Sequence, residues 1–170
     1  MTRLLLLIPV LLLALSPPAS ARRGGAPVPQ AAEYRACFAH AGTRYRIDPL
    51  LLEAIGIQES GLNPLAVNRR NRDGSADFGL MQINSRHLPG LTKEGLIRRD
   101  RDLLEKPCLS IQIAARLLAR HFQACGVNWN CLGSYNAGFA KRNHQAREKY
   151  ADLIWSRYRR LLQERRGVSL

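Results

Sequence analysis

Glu59 closes the apolar segment Asp48-Pro49-Leu50-Leu51-Leu52-Glu53-Ala54-Ile55-Gly56-Ile57-Gln58-Glu59-Ser60, a setting that changes what a carboxyl can do. Oily neighbours penalise its ionised form, and the negative end of a helix dipole penalises it again, so it is expected to keep a proton near neutral pH. Such an acid can protonate a departing glycosidic oxygen. Most glutamates that end helices are solvated surface groups, so Glu59 by itself decides nothing. Two later motifs change the balance: Gly79-Leu80-Met81-Gln82-Ile83-Asn84 and Ser134-Tyr135-Asn136-Ala137-Gly138. Amide side chains beside an acid suit acetamido and hydroxyl groups, and the Tyr135 phenol, if within reach of Glu59, would orient it. Glu53 lies one and a half helical turns earlier, on a different face, and cannot be a second catalytic carboxyl. Asp73 and Asp77 could approach a cleft and fill that role. His40, His87, His121 and His144 have no metal-ligand spacing, and no metal or cofactor is implied.

The elements that must hold these groups can be read from punctuation and period. A first helix is expected over Ala32 to Tyr45, with Tyr34, Phe38, Ala41 and Tyr45 at helical spacing. Asp48 is an N-cap and Pro49 suits the first helical position; Gly61 should end that helix and Pro64 prevents its resumption. From Asn68 to Phe78 the chain is polar, and Asp73-Gly74 marks a tight turn or short hairpin. The spacing of Asn71, Asp73, Ser75 and Asp77 partly matches a calcium loop, but Gly74 is misplaced for one and no bidentate Glu follows. Thr92 is expected to cap a short helix running through Leu96 to Arg98. Pro107 opens a longer helix carrying Cys108, Ile111, Ala115, Leu118 and Phe122. Asn130 caps another with Leu132, Tyr135 and Asn136. His144 to Gln163 reads as a last helix with Leu153, Ile154, Tyr158, Leu161 and Leu162 as its apolar stripe and Arg on its other face. No internal repeat or long alternating run occurs. The result is one mainly α domain with a short turn or hairpin segment.

The 170 residues suffice for a single core. Arg3, the apolar run Leu4 to Leu15 and the Ala19-Ser20-Ala21 site read as a secretory signal peptide over 1–21, cleaved near Ala21. Residues 22–31 are rich in Arg, Gly and Pro and are expected to be a flexible leader. The product should be periplasmic or secreted. Four cysteines fit that address, because the compartment is oxidising. Three pairings are open; Cys125 and Cys131 flank a short loop they could close, which leaves Cys37 with Cys108. The formal charge of +13 falls by one when Arg3 leaves. An exported chain this basic meets cell-wall polymers, anionic lipid and acidic proteins, and nucleic acid is not expected as its partner.

With Gln58-Glu59-Ser60, Gly79 to Asn84 and Ser134 to Gly138 in this order, the chain resembles the lytic transglycosylases of the soluble-lytic-transglycosylase (SLT) type. In particular it resembles the small exported members attached to secretion, conjugation and pilus machines. The resemblance spans Tyr34 to Gly138. It implies a lysozyme-like fold with a saccharide cleft over 32–140, followed by a basic helix and tail over 141–170. It also implies cleavage of the β-1,4 bond between N-acetylmuramic acid and N-acetylglucosamine in peptidoglycan strands, leaving a 1,6-anhydro ring. By motif, Glu59 matches the single acid/base, and Ser60 matches a hydroxyl that orients substrate or carboxylate. Met81 and Gln82 match residues lining the cleft, and Tyr135 and Asn136 the pair closing it from the opposite wall. Ser134 stands where members usually have Ala. Components of an envelope-spanning secretion, conjugation or pilus apparatus are the partners this implies. The rival readings are a hydrolytic muramidase of the same fold and a non-catalytic wall-binding adaptor.

Overall fold

A computed structural model of the chain describes residues 29–167. The expected signal peptide, and the leader up to residue 28, lie outside the described residues. Among the described residues seven α-helices surround a minimal sheet: α1 (Pro29–Tyr45), α2 (Pro49–Ser60), α3 (Leu88–Lys93), α4 (Asp102–Glu105), α5 (Pro107–Cys125), α6 (Trp129–Ala137) and α7 (His144–Arg165). The sheet has the antiparallel order β1 (Val67–Asn68), β2 (Asp77–Phe78), β3 (Ile83–Asn84), with Asn68 opposite Asp77 and Asp77 opposite Asn84. That register stacks three polar side chains on one face beside the cleft.

Helix α2 is the central pillar, and its ends follow from local chemistry. The Asp48 carboxylate accepts the Leu50 N–H at 2.8 Å, and Pro49 occupies the first turn, where no donor is needed. At the other end Gly61 turns left-handed, and its N–H and that of Leu62 are taken up by the Ile57 and Gly56 carbonyls. Leu52, Ala54 and Ile55 are fully buried and pack with Phe38 of α1, Ile111 and Leu118 of α5 and Ile154 of α7. Among the described residues no helix is long and apolar enough to cross a membrane. Cys37 is joined to Cys108, tying α1 to α5, and Cys125 to Cys131, closing the loop between α5 and α6.

Several boundaries differ from the sequence reading. The first helix begins at Pro29, three residues early, because proline is compatible with a first helical turn. Leu96 to Arg98 is not helical; the short helix is α3, which starts upstream and contains Thr92, with Pro89 in its first turn. Asn128, not Asn130, caps α6: its side-chain oxygen accepts the Cys131 N–H at 2.8 Å. On α7 the buried stripe is Tyr150, Ala151, Ile154 and Leu161, while Leu153 is 43% exposed.

Candidate active site

A cleft of about 880 Å³ runs across the molecule between the C-terminus of α2, the small sheet, α5 and the end of α6. Glu59 faces into it at the last turn of α2. Tyr150 of α7 donates its phenolic hydrogen to Glu59 Oε1 at 2.5 Å. Withdrawal from solvent pushes the Glu59 carboxyl up to about 7; the Tyr150 bond acts downward, and the negative charge of Asp77 upward again. Tyr150 is itself buried, and burial beside Glu59 holds its pKa well above the ordinary phenol value, so it remains a donor at every physiological pH.

The loop that carries Met81 and Gln82 is shaped by Gly79. Its φ of 75° is open to glycine, and an added Cβ would come within 2.2 Å of the Leu103 carbonyl oxygen. Gln82 adopts a left-handed φ of 48°, held there by bonds from its side-chain amide to the Gly79 carbonyl at 2.9 Å and the Ala66 carbonyl at 3.2 Å. Gln82 lines the cleft. Met81 does not: its side chain is 0% exposed and its sulfur lies against Gly56 in the core. Its backbone carbonyl accepts the Tyr135 hydroxyl at 2.9 Å. Apolar packing between the loop and α2 claims the thioether. The structure therefore assigns Met81 to the core and corrects the cleft-lining role expected from its motif. Ser60 also turns away from the cleft, donating to the Leu80 carbonyl at 2.7 Å and pinning the loop to α2.

Tyr135 and Asn136 line the cleft, as does Gln82. The Tyr135 hydroxyl reaches across to Met81, so this phenol closes the cleft floor, while the phenol bound to Glu59 is Tyr150. Ser134 is buried; its hydroxyl donates to the Cys131 carbonyl at 2.6 Å and accepts from His121 Nδ1 at 2.7 Å. His121 and Phe139, whose ring centres lie 4.7 Å apart with the planes tilted by 50°, add an aromatic ledge to the cleft.

Asp73 and Asp77 both reach the cleft, but neither has a free carboxylate. Asp77 Oδ2 accepts the amides of Asn71 at 2.8 Å and Asn68 at 3.1 Å, and Oδ1 accepts Asn84 at 2.7 Å. Asp73 accepts the Ser75 hydroxyl at 2.6 Å and pairs with Arg86 at 2.8 Å; the Ser75 bonds hold its pKa below the usual range. The spacing that partly matched a calcium loop is thus an amide-and-hydroxyl network around Asp77. Among the described residues no three acidic, His or Cys side chains gather as a metal site.

Tyr150 was missed by sequence reasoning because it lies outside all three motifs. Its spacing of four from Ile154 on the buried side of α7 was the available signal.

The mainly helical fold around a minimal sheet, with a cleft lined by Glu59, Gln82, Tyr135 and Asn136, is lysozyme-like. A family model described as the transglycosylase SLT domain matches residues 36–157, and the chain belongs to that family. The match runs through most of α7. A peptidoglycan-binding-like protein of Escherichia coli O157:H7 is 48% identical over 130 residues, covering 74% of this chain and 78% of the relative. The invasion protein IagB of Salmonella typhimurium LT2 is 41% identical over 125 residues (74% and 76%). Protein IpgF of Shigella flexneri is 42% identical over 128 residues (75% and 82%).

Proposed function

We propose that the protein is a peptidoglycan lytic transglycosylase with Glu59 as its acid and then its base. The observation that carries this reading is a cleft-facing carboxyl poised at about 7 and oriented by Tyr150. A group that must give a proton and then take one works best with a pKa near the operating pH. Protonated Glu59 gives its hydrogen to the oxygen leaving C1 of muramic acid as the C1–O bond breaks. The substrate's N-acetyl group stabilises the positive charge at C1. Ionised Glu59 then takes the C6 hydroxyl hydrogen while that oxygen bonds to C1, closing the anhydro ring. No water is consumed. Asp77, with both oxygens already accepting amides, is poorly suited as a nucleophile, and this favours the one-carboxyl route over hydrolysis. Gln82 and Asn136 would bind acetamido and hydroxyl groups, and Ser60 would fix the loop rather than touch sugar.

The disulfides fit export, and the names of the relatives, an invasion protein among them, support local wall opening for an envelope-spanning apparatus. Purified protein should release muropeptides one water lighter than muramidase products. Products with reducing ends would establish the hydrolytic alternative, and no products with intact binding would establish an adaptor. Glu59→Gln should lower turnover by roughly 10²-fold or more while sparing strand binding.

A further inference from the structure

Past His87 and Leu117 the main cleft continues into a small annex of about 150 Å³ floored by Leu91 and Leu117. Arg86 and His87 border both cavities, and Arg120 and Glu94 form the annex's far rim. Its charges do not cancel. Arg116 contacts one oxygen of Glu94, Oε2, and this bond is the chief cause that holds the carboxylate's pKa low. Arg120 reaches the same carboxylate only at 3.5 Å and is 56% exposed. Arg86 is paired with Asp73. Three guanidinium groups therefore share two carboxylates, and the one with the longest contact, Arg120, lines the annex together with Leu91 and Leu117. Along the main cleft Arg72 and Arg142 have no carboxylate partner among the described residues.

We propose that the annex is a subsite for a carboxylate of the stem peptide on muramic acid, with Arg120 as its principal contact. The inference rests on peptidoglycan being the substrate. A sugar chain is neutral apart from its lactyl groups, whereas an attached peptide carries free carboxylates on short aliphatic stems. An apolar floor beneath an underused guanidinium matches that combination, since Arg binds carboxylates through paired N–H groups. The annex is too small beside the main cleft to serve as a further sugar site.

Steady-state kinetics on three substrates test this: strands bearing peptides with free carboxylates, the same strands with those carboxylates amidated, and strands stripped of peptide. The wild-type KM should be about 3- to 10-fold lower for the first than for the second, the worth of one partly exposed ion pair. Arg120→Ala should erase that preference with kcat unchanged, and Arg120→Lys should restore part of it. Equal KM values for wild type on free and amidated peptides would overturn the proposal, as would an Arg120→Ala effect of the same size on all three. Should no substrate be turned over, binding of a muramoyl tripeptide and its amidated form decides separately: tighter binding of the free acid that depends on Arg120 supports the subsite, and equal binding rejects it.

Discussion

Two opposed effects set the acidity of Glu59, and they can be separated by substitution. Withdrawal from water raises its pKa and dominates; the bond donated by Tyr150 favours the carboxylate and lowers it. Tyr150→Phe removes only the second effect. The pKa should therefore rise further, moving the alkaline limb of the rate profile upward from about 7, while kcat falls because ionised Glu59 loses its orienting partner. An alkaline limb that stays put would show that the phenol does not act on this carboxyl. The same burial has a cost in stability. Below pH 4.5 Glu59 is protonated whether the chain is folded or not; between 4.5 and 7 only the unfolded chain ionises it, so the fold loses stability through that window, and above 7 the loss is constant. The full difference is up to about 3 kcal/mol. Glu59→Gln does not titrate, so its stability advantage over wild type should grow by up to that amount from pH 4 to pH 8 in urea denaturation. An advantage that does not change with pH would contradict the assignment.

At the scale of elements, α7 decides whether the site exists. Its basic face reads in sequence as a solvated surface, yet four of its side chains reach α2. Tyr150 binds Glu59, Arg157 binds Gln58 at 2.7 Å, Tyr158 binds Asp48 at 2.6 Å and Arg165 binds Glu53 at 2.6 Å. Glu53 is only 3% exposed; burial raises its pKa and Arg165 opposes that rise. Arg165→Ala would leave this carboxyl buried without its partner, and a loss of about 1–3 kcal/mol is expected by thermal or chemical denaturation. Gly133 sets how closely α6 and α7 cross: a Cβ there would meet the Arg147 backbone at 2.2 Å. Gly133→Ala should force the helices apart, cost roughly 1–3 kcal/mol and reduce turnover by displacing Tyr150. Normal turnover in that variant would show that the crossing tolerates the extra carbon. These contacts also explain what the sequence made legible. Caps, prolines and Gly61 act within a few residues, so the ends of α2 could be read directly. Whether Met81 faces sugar or core, or whether an arginine on α7 is solvated, depends on residues 25 to 112 positions away, and no local pattern carries that information.

Across the whole molecule, the two disulfides constrain the chain very differently. Cys37 and Cys108 are separated by 71 positions and span α1, α2, the sheet and the start of α5, so the bond encloses Glu59 and the Gln82 loop. Cys125 and Cys131 are separated by 6 and enclose only the loop leading into α6. In the chain-entropy account, a larger closed loop removes more freedom from the unfolded state: about 4 kcal/mol for the first bond and about 2 kcal/mol for the second. Replacing Cys37 and Cys108 by Ser should therefore lower stability roughly twice as much as replacing Cys125 and Cys131. Function should follow a different order. The short bond fixes the start of the helix that carries Tyr135 and Asn136, and Cys131 accepts the Ser134 hydroxyl that in turn holds His121 at the cleft. At a temperature where both variants are folded, the Cys125/Cys131 pair should show the larger rise in KM and the Cys37/Cys108 pair nearly wild-type kinetics. The opposite ranking of KM would mean that the long bond, not the short one, shapes the wall of the cleft.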